Sequence, residues 1–258
     1  MDAGRPEWGE GSRFYVPNED AAVLRTSLLE VLSGRPRNPV FVGGSGMALL
    51  EAVRVLPELE SAVFVDVAAF QCAYAARLFT AIETLPEPAA FRMWFEENVY
   101  PDLHGHYMGK GTDYPLEKVL NALENRFGIE FMFDDSAYDG ARSSIACVRI
   151  VSRDIIDYLA LPERVHDFIY LSNVPDYLSP QEAEALFQAC RRCGAPVYVL
   201  LTSACEDQSV MAAAWENAGY RTHPASRRLD ALNRGLGCAT LTTSWNRPGV
   251  VFFLVEST

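Results

Sequence analysis

Short apolar runs recur along this chain, each too brief for a helix and each closed by a glycine, an acid or a polar turn. Pro39-Val40-Phe41-Val42 is followed at once by Gly43-Gly44-Ser45-Gly46, and Ala62-Val63-Phe64-Val65 ends on Asp66. Ala146 to Val151, Asp167 to Leu171 and Pro196 to Leu201 repeat the theme. Continuous apolar runs of this length, alternating with helical segments, suit a parallel sheet covered on both faces. Apolar residues at helical spacing predict a helix over 20–33, ended by Gly34 and Pro36, and another from Met47 to Leu56. Ser179 to Cys193 carries its own start signal: an N-cap serine, Pro180 in the first helical position and Glu182 in the third. Near the end, Ala239 to Trp245 and Val250 to Glu256 flank the turn Asn246-Arg247-Pro248-Gly249 and predict a hairpin. The fold class predicted is α/β: a Rossmann-like, mostly parallel sheet with a C-terminal antiparallel hairpin.

Residues 80–140 break this alternation. Trp94, Phe95, Tyr100, Tyr107, Tyr114, Phe127, Phe131 and Phe133 make the segment aromatic-rich, and it is too long for a plain crossover. It reads as a mainly helical insertion, either a pocket wall for a second substrate or extra core beneath a long connection. The expected organisation is a single domain over 1–258, with 1–36 as an N-terminal helical lid region.

Composition narrows the function. The chain has 258 residues and a net charge of -12, which disfavours nucleic acid, since Lys and Arg neutralising phosphates supply most non-specific affinity. The same charge argues against anionic membranes, and no apolar run is long enough to cross a bilayer. The start lacks the basic and apolar regions of a signal peptide, and six cysteines over this length do not form a disulfide framework. A cytoplasmic enzyme is expected, acting on a small-molecule acceptor, with a homodimer allowed. Cys190-x-x-Cys193 and His104-x-His106 are each a single pair, short of the ligand set of a metal site, so no metal is expected.

The candidate chemistry sits at the ends of the predicted strands. A glycine-rich turn between a first strand and a first helix lets a ligand approach the backbone. Asp66 closes the second strand, 20 residues after Gly46, where a carboxylate can accept both hydrogen bonds of a ribose diol. Asp154, beyond the third strand, can accept from an adenine amine with Ile155 covering the ring, or can simply cap a helix over Ile155 to Leu159. Ser172-Asn173-Val174-Pro175-Asp176-Tyr177 follows the fourth strand, at the carboxyl edge where such sheets place their chemistry. Gly44-Ser45-Gly46-Met47-Ala48-Leu49 departs from the dinucleotide fingerprint at its last position, and neither a P-loop lysine nor a hydrolase elbow is present.

Four motifs, Tyr15-Val16-Pro17-Asn18-Glu19-Asp20, Gly43-Gly44-Ser45-Gly46, Asp66-Val67-Ala68-Ala69-Phe70-Gln71 and Leu171-Ser172-Asn173-Val174-Pro175-Asp176-Tyr177-Leu178, bracket most of the chain. In these the sequence resembles the S-adenosylmethionine:diacylglycerol 3-amino-3-carboxypropyltransferase family of betaine-lipid synthesis, and more closely its smaller relatives. The resemblance implies a class I S-adenosylmethionine-dependent transferase fold, with S-adenosylmethionine as donor. Asp66 is expected at the ribose, Asp154 and Ile155 at the adenine, and the Gly43, Gly44, Ser45 and Gly46 turn at the methionine portion, with Val67, Gln71 and Ser172 also expected to bind the cofactor. Tyr15, Asn18 and Glu19 are expected to fold over the cofactor. Asn173, Asp176 and Tyr177 are the acceptor-side catalytic candidates, with Ser203 reaching in from beyond the fifth strand.

Three reactions stay open on this reading. Attack of an acceptor on the γ-carbon transfers the aminocarboxypropyl group and releases methylthioadenosine, which is the favoured expectation. Attack by the cofactor's own amine needs no acceptor and gives azetidine-2-carboxylate. Attack on the methyl carbon makes a small-molecule methyltransferase. The short acidic chain favours a soluble acceptor over a lipid.

Overall fold

The computed structural model describes residues 14–17, 21–32, 35–108, 115–161, 165–201, 208–223 and 251–257. Its centre is a sheet of strands β1 (Val40–Val42), β2 (Ala62–Asp66), β3 (Val148–Ser152), β4 (Ile169–Ser172), β5 (Val197–Leu201), β6 (Tyr220–Thr222) and β7 (Val251–Ser257). They lie in the order β3-β2-β1-β4-β5-β7-β6. The first five are parallel, whereas β7 runs antiparallel between β5 and β6. This is the Rossmann-like, mostly parallel layout that the apolar runs predicted. The expected strand at 239–245 lies outside the described residues. The partner that β7 finds, β6, is a three-residue strand too short to stand out in the pattern.

Each inner strand places one aromatic ring between aliphatic neighbours, and period-two alternation sends the two kinds to opposite faces. Phe64, Phe41, Tyr170 and Tyr198 stand opposite one another across β2, β1, β4 and β5. Ring centroids are 5.1 Å apart for Phe41–Tyr170 and 5.2 Å for the stacked pair Tyr170–Tyr198. This row joins the core formed with α1 (Ala21–Thr26), α2 (Met47–Val53) and α3 (Ala69–Thr84). Val40, Val42, Val63, Val65, Ile169, Leu171, Val197 and Val199 face the other way, onto α8 (Ile155–Leu159), α9 (Pro180–Cys193) and α10 (Gln208–Asn217). β3 is one of the two edge strands and is only partly covered.

The segment expected as an insertion forms α4 (Pro88–Asn98), α5 (Tyr100–Met108), α6 (Leu116–Asn125) and α7 (Asp135–Ser144). Phe91, Phe95, Val119, Leu123, Phe131 and Tyr138 are buried in the aromatic-row core. A charged knot fastens this layer to α2. Glu51, fully buried, accepts from Arg25 at 2.6 Å, Arg54 at 2.8 Å and the backbone N–H groups of Glu130 and Phe131 at 2.6 and 2.9 Å. Glu130 in turn pairs with both arginines. A buried carboxylate is tolerated only when its lone pairs are met in this way.

Several boundaries move by a few residues. The first helix is Ala21–Thr26 continued by a π turn, Ser27–Val31. The second stops at Val53, short of Leu56. Residues Ile145–Cys147 form a 3-10 turn before β3 begins. The α9 start is as predicted, a reciprocal capping box between Ser179 and Glu182 with Pro180 in the first turn. Among the described residues no helix is long and apolar enough to cross a membrane.

Candidate active site

The carboxyl ends of β3, β2, β1 and β4, adjacent in that order, open onto one cleft with a cavity of about 200 Å³. Asp154, Asp66, the Gly43–Gly44 turn and Ser172–Asn173 therefore follow one another along the sheet edge. All of them line the cleft, as do Val67, Gln71, Ile155 and Tyr177.

Asp66 sits at the end of β2 and lines the cleft. Its Oδ1 accepts from Ala68 N–H at 2.8 Å. Burial raises its pKa to about 6, opposed in part by the N–H groups of Ala68 and Val67. Oδ2 lies against Gly43, where a β-carbon would come within 2.7 Å of it. Gly43 also has φ +53°, so the position demands glycine twice over. Its N–H donates to Val65 O at 2.8 Å, which carries the β1–β2 ladder into the turn. Cys72 lies beneath Asp66, its Sγ on the Asp66 and Val151 carbonyls, and burial raises its pKa.

Of the two tasks open to Asp154 in sequence, the cap on α8 is present. Its Oδ1 caps α8, accepting from Ile156 N–H at 2.8 Å and Asp157 N–H at 3.4 Å. No hydrogen bond engages Oδ2 among the described residues, and the side chain lines the cleft beside Ile155 and Ile156. The cap fixes the rotamer, so the side chain that starts α8 is also one that lines the cleft.

At the far end, β4 leaves the sheet under strain. The register with β5 shifts between Tyr170 and Ser172, and Ser172 has φ +50°, the only positive φ outside glycine among the described residues. Asn173, 5% exposed, donates from Nδ2 to Tyr177 Oη at 3.1 Å across the 3-10 turn Val174–Tyr177. The Asn173 amide and the Tyr177 ring thus form one wall of the cleft. Asp176 belongs to that turn, and its side chain lies outside the described residues, as do Asn18, Glu19 and Ser203.

Three expected cofactor residues stand back from the cleft. Ser45 is buried, its Oγ accepting from Met47 N–H at 3.3 Å. Gly46 packs on α3, where a β-carbon would stand 3.2 Å from the Phe79 ring. Tyr15 is buried edge-on against Tyr74, with centroids 5.5 Å apart, and its carbonyl accepts from Tyr74 Oη at 2.9 Å. The residue before it, Phe14, lines the cleft instead. Phe14 had no motif signal beyond adjacency to Tyr15, and Arg153, another lining residue, only adjacency to Asp154. No described residue of 80–140 reaches the cleft. No group of three or more His, Cys, Asp or Glu is placed to hold a metal among the described residues. Cys190 and Cys193 are free thiols, the former fully buried.

No family model matches this chain, and no curated protein does. Among solved structures it is similar to the StiE O-methyltransferase domain, residues 961–1257, at 12% identity over 92% of this chain and 73% of that one, TM-score 0.49. It is similar to the mitomycin 7-O-methyltransferase MmcR at 10% identity over 92% of this chain, TM-score 0.49. An O-methyltransferase family protein from Burkholderia thailandensis gives 16% identity over 92% of this chain and a TM-score of 0.41. The chain spans about half the length of these last two, 53% and 55%. The fold rests on the strand order itself and not on these distant likenesses.

Proposed function

We propose that this chain is an S-adenosylmethionine-dependent transferase acting on a small-molecule acceptor. One observation carries the reading: two acids, Asp66 and Asp154, at the ends of neighbouring parallel strands, share a cleft with the half-buried glycine turn at Gly43–Gly44. Asp66 suits a ribose diol, and Oδ2 of Asp154 with Ile155 suits an adenine amine and ring. The residues present fit the group. Bound there, S-adenosylmethionine supplies a sulfonium that activates its attached carbons toward a nucleophile.

Strand order supports a division of labour. With the adenosine between β3 and β2, the glycine turn and Phe14 remain for the amino-acid arm, and the Asn173–Tyr177 wall remains for the acceptor. That division favours methyl transfer to an oxygen or nitrogen of the acceptor. Asn173 and Tyr177 then orient the nucleophile by hydrogen bonds, and the apolar Val174 and Leu178 beside them exclude water. A second reading, aminocarboxypropyl transfer, is favoured by the four sequence motifs alone.

The test is titration of the purified protein with S-adenosylmethionine, S-adenosylhomocysteine and NAD, followed by mass analysis of products. Binding of the adenosylated sulfur compounds but not NAD is expected, with S-adenosylhomocysteine accumulating once an acceptor is supplied. Methylthioadenosine above the spontaneous background would favour the second reading, and its appearance without any acceptor would indicate self-cyclisation. No binding of any adenosylated methionine derivative overturns the proposal.

A further inference from the structure

Gln71 lines the cleft, yet its amide has little left for a ligand. It is 1% exposed. Oε1 accepts from Phe14 N–H at 3.1 Å, and Nε2 donates to Phe14 O at 2.9 Å and to Gly44 O at 2.5 Å. A primary amide has two N–H donors, and both are engaged. The side chain therefore imitates a neighbouring strand, pairing with both backbone groups of Phe14 while holding the glycine turn with its second donor. One turn along the same helix, Tyr74 Oη fastens the next residue by its carbonyl. Tyr15, Val16 and Pro17 are buried behind this double latch, and the Phe14 ring is left lining the cleft beside Gly43 and Gly44.

We propose that Gln71 is a positioning residue, which acts on the ligand only by fixing Phe14 as the wall facing the glycine turn, and that Phe14 is the contact residue. The inference rests on the S-adenosylmethionine reading above and assigns the sequence motif's glutamine an indirect task. Residues 14–17 have no helix or strand of their own to hold them. Without the latch, the ring loses its position over the turn, and the ligand must then meet the ordering cost of the strap on binding.

The experiment is a double-mutant cycle read by calorimetric titration with S-adenosylmethionine, using Gln71→Ala, Phe14→Ala and the double variant, with thermal unfolding as a check on the fold. Each single change is expected to weaken binding about five- to twentyfold, and the double variant to bind within about twofold of Phe14→Ala. Amide exchange at Phe14 to Val16 should quicken in Gln71→Ala while the amides of the α3 body keep their protection. Multiplying effects in the double variant would mean that Gln71 acts directly or through Gly44, and overturn the inference. So would wild-type affinity in Phe14→Ala, or unchanged exchange in the strap. If Gln71→Ala does not fold, Gln71→Glu takes its place, since it keeps the acceptor for Phe14 N–H and offers no donor to either carbonyl. Absence of heat with the wild-type protein would instead sink the underlying S-adenosylmethionine reading, and this inference with it.

Discussion

A β-carbon on Gly43 would stand 2.7 Å from Oδ2 of Asp66, so the turn and the acid are fitted to each other with no room between. Gly43→Ala is expected to cost about 1–3 kcal/mol of stability, from the left-handed φ and the displaced carboxylate, and to weaken S-adenosylmethionine binding by at least roughly tenfold. Adding Asp66→Ala to it should recover part of the stability and none of the binding. Urea unfolding and calorimetry of the three variants check this.

Asp66 makes binding dependent on pH. With a pKa of about 6, its carboxylate is mostly protonated at pH 5 and mostly ionised at pH 7. The ionised form accepts a diol, so affinity should rise about tenfold from pH 5 to pH 7 and level off above. Stability runs the other way. The native state holds this proton more tightly than the unfolded chain, where the value is 3.8, so the contribution is lost as pH climbs from about 4 to 6. Asp66→Asn should flatten both profiles, as titration and unfolding across this range would show.

The cap made by Asp154 and its proposed adenine contact can be separated. Asp154→Ala removes the α8 cap and should cost about 1 kcal/mol as well as ligand affinity. Asp154→Ser keeps a capping oxygen while removing the second one, Oδ2. It should hold wild-type stability yet lose roughly tenfold in affinity. Equal affinity in Asp154→Ser and wild type would leave this acid as a cap only.

Glu51 predicts the opposite signature. Replacing it with Gln leaves Arg25 and Arg54 short of a buried partner and should destabilise by about 3 kcal/mol or more. Ligand affinity should stay within about threefold, because the knot lies behind α2 and not in the cleft. Chemical denaturation against titration distinguishes the two.

Much of this was legible in sequence because parallel strands covered on both faces leave continuous apolar runs, and the sheet puts their ends at one edge. Val40–Val42 and Ala62–Asp66 announced both their strands and the residues that follow them. The α9 cap was legible for a local reason, since Ser179, Pro180 and Glu182 satisfy one another within a single turn. Glu51 was not, because its partners come from Arg25, Arg54 and residues 130–131, and nothing in α2 marks a buried acid. Phe14 and the task of Gln71 were hidden for the same reason: the latch joins residues 57 positions apart through backbone groups, which carry no sequence signature. Ser45 and Gly46 were drawn toward the ligand by their motif, whereas packing on Phe79 and the start of α2 explains them.

The row Phe64, Phe41, Tyr170 and Tyr198 has a consequence at some distance from the rings. Sliding any one of these strands by a single residue would thrust an aromatic toward α8 and α9 and leave a gap in the row. Each strand thereby proofreads its neighbours, and the points at which they stop are set in common. Asp66, Gly43 and Ser172 occupy those stopping points. The alignment of the cleft edge is thus dictated from the middle of the sheet, by side chains that do not line the cleft.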